Sequence, residues 1–174
     1  MITKDILNEL LNYDKESGEF TWKVRVEGMF KHKSNLSAWN TRYAGKTAGS
    51  VSGTGYVEMR ILGSSQKAHR LAMIMTFGCA PEFVDHINNN RSDNRIVNLR
   101  EATRSENCRN SVKNSNNTSG VKGVSLLKRT GKWAARIRFC KKLYFLGYFS
   151  EIKDAEDAVR KKRAELHGDF ANDG

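Results

Sequence analysis

An α+β fold in two parts is what this sequence predicts, and three observations predict it. Short runs in which apolar and polar residues alternate lie between segments with helical spacing and helix caps. A polar stretch, Asn110 to Gly120, holds a single apolar residue and reads as a linker. Beyond it, three strand-like runs are followed by one amphipathic helix.

Taken in order, Thr3 is placed to cap a helix through about Asn12, with Ile6, Leu7, Leu10 and Leu11 on its apolar side. Asp14 to Gly18 reads as a turn and Glu19 to Lys23 as a strand. Residues 26–54 show weak periodicity and are expected to be mostly loop. Gly55 to Leu62 carries a strand signal, Gly63 to Gln66 a turn, and Lys67 to His69 a short return strand. Arg70 through Phe77 is a compact apolar helix, and Gly78 is well placed to end it. Pro81 to His86 should be extended, because Pro disfavours helix before it and Phe83-Val84 favour strand. Asn88 to Arg95 is a polar turn cluster, and Asn98 to Glu101 a second short strand. Thr103 and Glu106 form a capping-box pattern, which puts Asn107 one turn into the helix that follows. In the tail, strands are expected at Lys122 to Ser125, Trp133 to Phe139 and Leu143 to Phe149. Ser150 is then placed to cap a helix with Ile152, Ala155, Val159 and Leu166 as its stripe and Gly168 as its stop.

The chain has 174 residues, 39% hydrophobic and 28% charged, with a formal net charge of +11. That composition suits a globular protein, and no apolar run approaches the roughly 20 residues of a membrane span. The amino terminus lacks the layout of a secretion signal, so a cytosolic protein is the expectation. Cys79, Cys108 and Cys140 are widely spaced without a Cys-x-x-Cys pair. They read as isolated, buried or half-buried thiols, and no structural zinc or disulfide framework is expected. Positive charge concentrates late: residues 117–174 are net +6, and 122–142 holds eight basic side chains and no acid. Basic residues alternating with apolar ones suggest a strand face aimed at phosphates. No amphipathic basic helix favours a lipid surface there, so nucleic acid is the partner these charges fit.

The chemistry-bearing residues lie between the two parts. Asp85, His86, Asn98 and Asn107 bring a carboxylate, an imidazole and two carboxamides within 23 residues. Asp85 is the anionic candidate for a metal ligand and the Asn107 carboxamide oxygen the second. Two protein oxygens with water and a phosphate oxygen suit Mg²⁺ (or Mn²⁺), whereas zinc would want more His or Cys. His86 has the chemistry to take a proton from an attacking water. Neighbouring strand residues point to opposite faces, so Asp85 and His86 share a site only where the strand twists or ends. Asn98 is suited to hold the His86 ring or to pin the loop. Each part also has a plain structural reading, since Asn is what any turn-rich loop uses. The order and the strand–strand–helix context are what favour an active site. His69 and Arg70 are candidate phosphate contacts, and His32 and His167 read as surface residues.

Asp85-His86, Asn98-Leu99-Arg100 and Asn107 together resemble the HNH nuclease motif of phage and intron-encoded homing endonucleases. Lys67-Ala68-His69-Arg70-Leu71-Ala72 is similar to the segment that precedes the motif in those phage enzymes. The resemblance implies a ββα-metal module at about 82–110 with one divalent ion, His86 as general base, Asp85 and Asn107 as metal ligands, and Asn98 orienting the finger. The tail resembles the DNA-binding domain of APETALA-type ethylene-response factors through Gly123-Val124, Gly131 to Arg138, Leu146 to Phe149 and Ala155 to Ala158. That resemblance implies a small three-stranded antiparallel sheet set in the major groove and packed on one helix. Lys122, Lys128, Lys132, Arg136, Arg138 and Tyr144 are then expected at DNA, and Arg136 and Arg138 share one strand face. Ser125 and Leu126 depart from the basic residues usual in that family.

The expected organisation is a nuclease domain at 1–110, a linker at 111–119 and a DNA-binding domain at 120–174. The expected activity is metal-dependent, site-specific cleavage of double-stranded DNA by a monomer, in the host cytoplasm if the gene belongs to a phage. A non-catalytic DNA-binding regulator with a relic HNH finger is the rival. RNA binding is disfavoured because no aromatic stacking platform is evident in the sequence.

Overall fold

A computed structural model describes residues 2–111 and 113–174. Val112, the apolar residue of the expected linker, and Met1 lie outside them. The chain divides into two compact units, Met1–Ala102 and Thr103–Gly174. The boundary thus falls at Ala102/Thr103, ahead of the expected linker at 111–119. The reason is a set of polar ties within the second unit. The Lys122 ammonium donates to the carbonyl oxygens of Arg109, Ser111 and Asn172, and the Asn172 carboxamide donates to the Asn110 carbonyl at 2.9 Å.

In the first unit, α1 (Lys4–Leu10) is capped by the Thr3 hydroxyl, which accepts from the Ile6 N–H at 3.3 Å. The hairpin of β1 (Leu11–Tyr13) and β2 (Phe20–Trp22) follows directly, because the chain turns extended at Leu11. Within the region expected to be loop lies a helix, α2 (Lys33–Tyr43). Its Ser, Asn and Thr residues favour caps and turns over helix interiors; the spacing Leu36, Trp39, Tyr43 was the helical signal. A sheet of β3 (Ser50–Val51), β4 (Val57–Ile61) and β5 (Ser64–Lys67) leads into α3 (Ala68–Phe77), closed by Gly78. The return strand therefore comes earlier than expected, and His69 is helical, as Arg70 was expected to be. Finally β6 (Phe83–His86) pairs antiparallel with β7 (Leu99–Ala102). Leu7, Leu11, Phe20, Met59, Ile61, Leu71, Val84 and Leu99 close one core that draws on α1, α3 and three of the sheets.

The second unit opens with α4 (Arg104–Arg109), whose Thr103–Glu106 capping box is formed on both sides. Strands β8 (Val124–Leu127), β9 (Lys132–Phe139) and β10 (Lys142–Phe149) make an antiparallel sheet with β9 in the middle. The helix α5 (Ile152–His167) packs on it; Glu151, not Ser150, is its N-cap. The core is small: Val124, Ala135, Ala155 and Val159. Gly123 sits at φ +88°, and a Cβ there would meet the Arg136 carbonyl oxygen at 2.7 Å, so a side chain would drive the first strand from the second.

Two expectations about single residues are corrected. All three cysteines are free and exposed, because they stand at the end of α3, on the open side of α4 and in the β9–β10 turn. His167 is buried, not on the surface: its ring stacks on Phe139 at 5.7 Å, and neither ring nitrogen has a hydrogen-bond partner. Among the described residues no helix is long and apolar enough to cross a membrane.

Candidate active site

The site residues of the first unit sit where β6 runs out and a polar loop begins. The register sets Asp85 opposite Arg100 and His86 opposite Leu99. Opposed residues share a face, so Asp85 and Arg100 meet across the hairpin while His86 turns with Leu99 toward the interior. Arg100 grips Asp85 Oδ2 with both Nε and Nη2, each at 2.8 Å. Polar as they are, Asp85 is 4% exposed, His86 5%, Asn98 5% and His69 6%. Burying such groups costs free energy unless the surroundings compensate.

The compensation comes from the loop. The Asn98 Oδ1 accepts from the Asn88 N–H at 3.0 Å, its Nδ2 donates to the Asp93 carbonyl at 2.9 Å, and its backbone carbonyl accepts from the Ile87 N–H at 2.9 Å. Of its two expected roles, Asn98 thus fills the second: it pins the loop. Asn88 and Asn90 each fold their side chains back on the loop backbone or on Asp93, as Asx turns do. Arg95 clasps both oxygens of Asp93 at 2.8 and 2.6 Å, and this pairing draws the Asp93 pKa down to about 2. From below, the Tyr13 hydroxyl donates to the Asn94 carbonyl at 2.7 Å. Gly18 closes the approach: at φ +77°, a Cβ there would come within 2.4 Å of the Arg95 nitrogen. The amino-terminal hairpin therefore holds the site loop by backbone contact that only glycine permits.

On the inner side, His86 meets an aromatic group that sequence reasoning did not assemble. The rings of His69 and His86 pack edge to face at 5.0 Å, and Tyr56 lies 5.2 Å from the first and 5.9 Å from the second. Lys67 and Arg91 both sit over the Tyr56 ring, at 4.2 and 5.0 Å. Burial pushes the His86 pKa below its ordinary value, opposed by Asn94, Asp85 and Asp93. His69 is lowered to about 3, by burial first, then by His86, Lys67 and Arg70. Both imidazoles are therefore neutral at neutral pH.

Other site candidates fall elsewhere. Arg70 donates to the carbonyls of Pro81 and Glu82 at 2.9 and 3.1 Å, which ties α3 to the start of β6. Asn107 lies on α4, in the second unit, half-buried. Among the described residues no three His, Cys, Asp or Glu side chains gather as a metal cluster. A divalent ion here would have to complete its shell with carboxamide, water or phosphate oxygens.

In the second unit, Arg136 pairs with Phe145 and Arg138 with Leu143, so these four share the sheet face turned away from α5. A register shift between Phe145 and Gly147 brings Tyr148 onto the same face, its ring 5.0 Å from that of Phe145. Leu143, Phe145 and Tyr148 are 51, 55 and 57% exposed. No aromatic platform is evident in the sequence; the bulge makes one. Lys128 and Lys132 are exposed at the β8–β9 turn. Two expected DNA contacts point away: Lys122 spends its ammonium on backbone carbonyls, and Tyr144 pairs with Ile137 on the helix side, near Lys162.

No solved structure matches this chain. Residues 66–109 match the model of a family described as HNH endonuclease. Protein 3.8 of Escherichia phage T7 is 32% identical over 89 residues, which cover 51% of this chain and 73% of that protein. The chain thus belongs to the family of phage T7 protein 3.8, with an HNH endonuclease domain over residues 66–109.

Proposed function

We propose that this protein is a site-specific DNA endonuclease of the homing type that hydrolyses a phosphodiester bond with one divalent ion. The observation that carries the reading is the buried, neutral His86 beside Asp85 at the mouth of a loop pinned by Asn98, inside the HNH match.

Carboxylate and carboxamide oxygens are hard donors, so Asp85 in the first unit and Asn107 in the second each suit Mg²⁺ or Mn²⁺ by donor chemistry. When bound, the ion supplies charge neutralisation at the scissile phosphate and at the departing oxygen. His86 accepts the proton of the water that attacks phosphorus, and its low pKa keeps it free to do so near neutrality. Arg100 orients the Asp85 carboxylate, and Asn98 keeps the loop in register with the strand end. The exposed face of the second unit acts as an APETALA-type DNA-binding sheet. Arg136 and Arg138 reach guanine edges or phosphates, Lys128 and Lys132 reach phosphates, and Phe145 gives apolar contact to thymine methyl groups. A chain with one such site nicks one strand.

Incubation with supercoiled plasmid tests the reading. Wild type with Mg²⁺ is expected to convert it to the nicked form, and EDTA to stop the reaction. His86→Ala is expected to slow cleavage by about 10²–10⁴-fold with duplex affinity retained. Undiminished cleavage by both His86→Ala and Asp85→Ala would remove the assignment and leave the DNA-binding regulator as the better reading.

A further inference from the structure

The helix α2 explains nothing about the core, for it contains no buried residue. It is nevertheless held in place by a specific clamp. Trp39 lies over the buried Arg25 guanidinium at 4.4 Å and meets Trp22 edge-on at 5.7 Å. The Asn40 carboxamide accepts from the Arg25 N–H at 2.8 Å and donates to the Arg25 carbonyl at 2.9 Å. Leu36, Trp39, Asn40 and Tyr43 form the half-buried side, which leaves Ser34, Ser37, Thr41 and Arg42 facing outward and exposed. Ordering an 11-residue segment costs conformational entropy that this clamp offsets without adding core. A rigidly presented, solvent-facing helix is what a recognition surface requires.

Charge says what it recognises. From 28 to 57 the chain has no Asp or Glu, while Lys31, Lys33, Arg42 and Lys46 are present and exposed. Lys33 reaches back to Glu27 at 2.9 Å, so Lys31, Arg42 and Lys46 carry the outward field. We propose that α2 is a DNA-recognition helix whose Ser34–Ser37–Thr41 face enters the major groove of duplex DNA, with Arg42 and the flanking lysines on the phosphates. The dimensions agree: an α-helix is about 10–12 Å across with side chains, and the B-form major groove about 12 Å wide. Hydroxyl and carboxamide side chains read base edges there, and a face without acids meets no repulsion from the backbone. The first unit would then carry a DNA reader of its own. This rests on DNA being the substrate.

The test uses the full chain in EDTA, titrated onto a mixed-sequence DNA duplex and a duplex RNA of equal length at several salt concentrations. Ser37→Glu is expected to weaken DNA binding by about tenfold or more while its melting temperature stays at the wild-type value. Thr41→Glu repeats the measurement should Ser37→Glu melt lower. Arg42→Gln and Lys46→Gln are each expected to lower the log–log salt slope by about 0.9. Duplex RNA, whose major groove is too deep and narrow for a helix, is expected to bind more weakly. Wild-type affinity and slope in the Ser37→Glu and Thr41→Glu variants would overturn the proposal, even with plasmid nicking intact. RNA bound as tightly as DNA would overturn the groove geometry. No binding of wild type to duplex DNA would overturn both this inference and the endonuclease reading.

Discussion

Residues 1–102 enclose Asp85, His86, Asn98 and His69, whereas residues 103–174 enclose Arg163 and His167 and half-enclose Lys122. In the first unit these polar groups sit beside a full apolar core and are fixed by a loop built of Asx turns. In the second the core is four small residues, and the buried cations serve as fasteners. Arg163 donates to the Lys122 carbonyl at 2.7 Å and to the Asp173 carboxylate, and Lys122 uses its ammonium on three carbonyls. A unit this short buries too little apolar surface to rely on it alone. Buried polar groups therefore gather around the candidate site in one region and act as fasteners in the other, a use that the buried Arg25 shares within the first. What separates the two regions is whether the neighbouring core is already sufficient without such groups.

Five substitutions break or sharpen that contrast, in falling order of effect. Leu71→Ala, in the fully buried part of the larger core, should destabilise by about 2–5 kcal/mol in urea unfolding. A smaller loss would mean that the first core is less self-sufficient than its packing suggests. Asn98→Ala removes both loop-pinning bonds and is expected to cut plasmid cleavage by about 10²-fold, the scale of a misplaced catalytic group. Retained activity would show that the loop is held without it.

His69 gives a pH dependence whose sign follows from its depressed pKa. Above pH 6.5 it is neutral in both the folded and the unfolded chain and contributes no slope. Between 6.5 and about 3 the unfolded chain binds a proton that the folded chain refuses, so stability falls as pH falls, by about 1.4 kcal/mol per pH unit for this group. Urea midpoints at pH 7 and pH 5 should draw closer in His69→Gln than in wild type. An unchanged gap would show that the imidazole is not shielded as its burial implies.

The smallest effect separates reader from fastener directly. Arg136→Ala should lower the salt slope of duplex binding by about one and leave the melting temperature in place. Its guanidinium is exposed and bonded to the Ser125 hydroxyl, at 2.8 Å. Lys122→Met should do the reverse. Should Lys122→Met change the salt slope and not the stability, the ammonium is a phosphate contact after all.

Local rules were enough for much of this. Alternation located β9 and β10, the Thr103–Glu106 box located α4, and the Asn-rich run after His86 announced a turn that cannot join a core. These features depend on residues a few positions apart, so the sequence displays them. Asn98 as the loop pin was legible for the same reason, its partners lying five and ten residues away.

Burial of polar groups was not legible, because it depends on partners distant in the chain. Nothing near Lys122 signals a bond to Asn172, and nothing near His69 signals that His86 and Tyr56 will enclose it. Helix α2 escaped the sequence reading because its residues are poor helix formers, and only the clamp on Arg25 makes the conformation worthwhile. Sequence alone determined the candidate chemistry-bearing side chains and those strands, turns and capped helices that follow from nearest-neighbour sterics and hydrogen bonding. Tertiary structure decided which of those side chains are sealed from water and which are left outside, since solvent exclusion is a property of surfaces meeting, and no stretch of chain encloses itself.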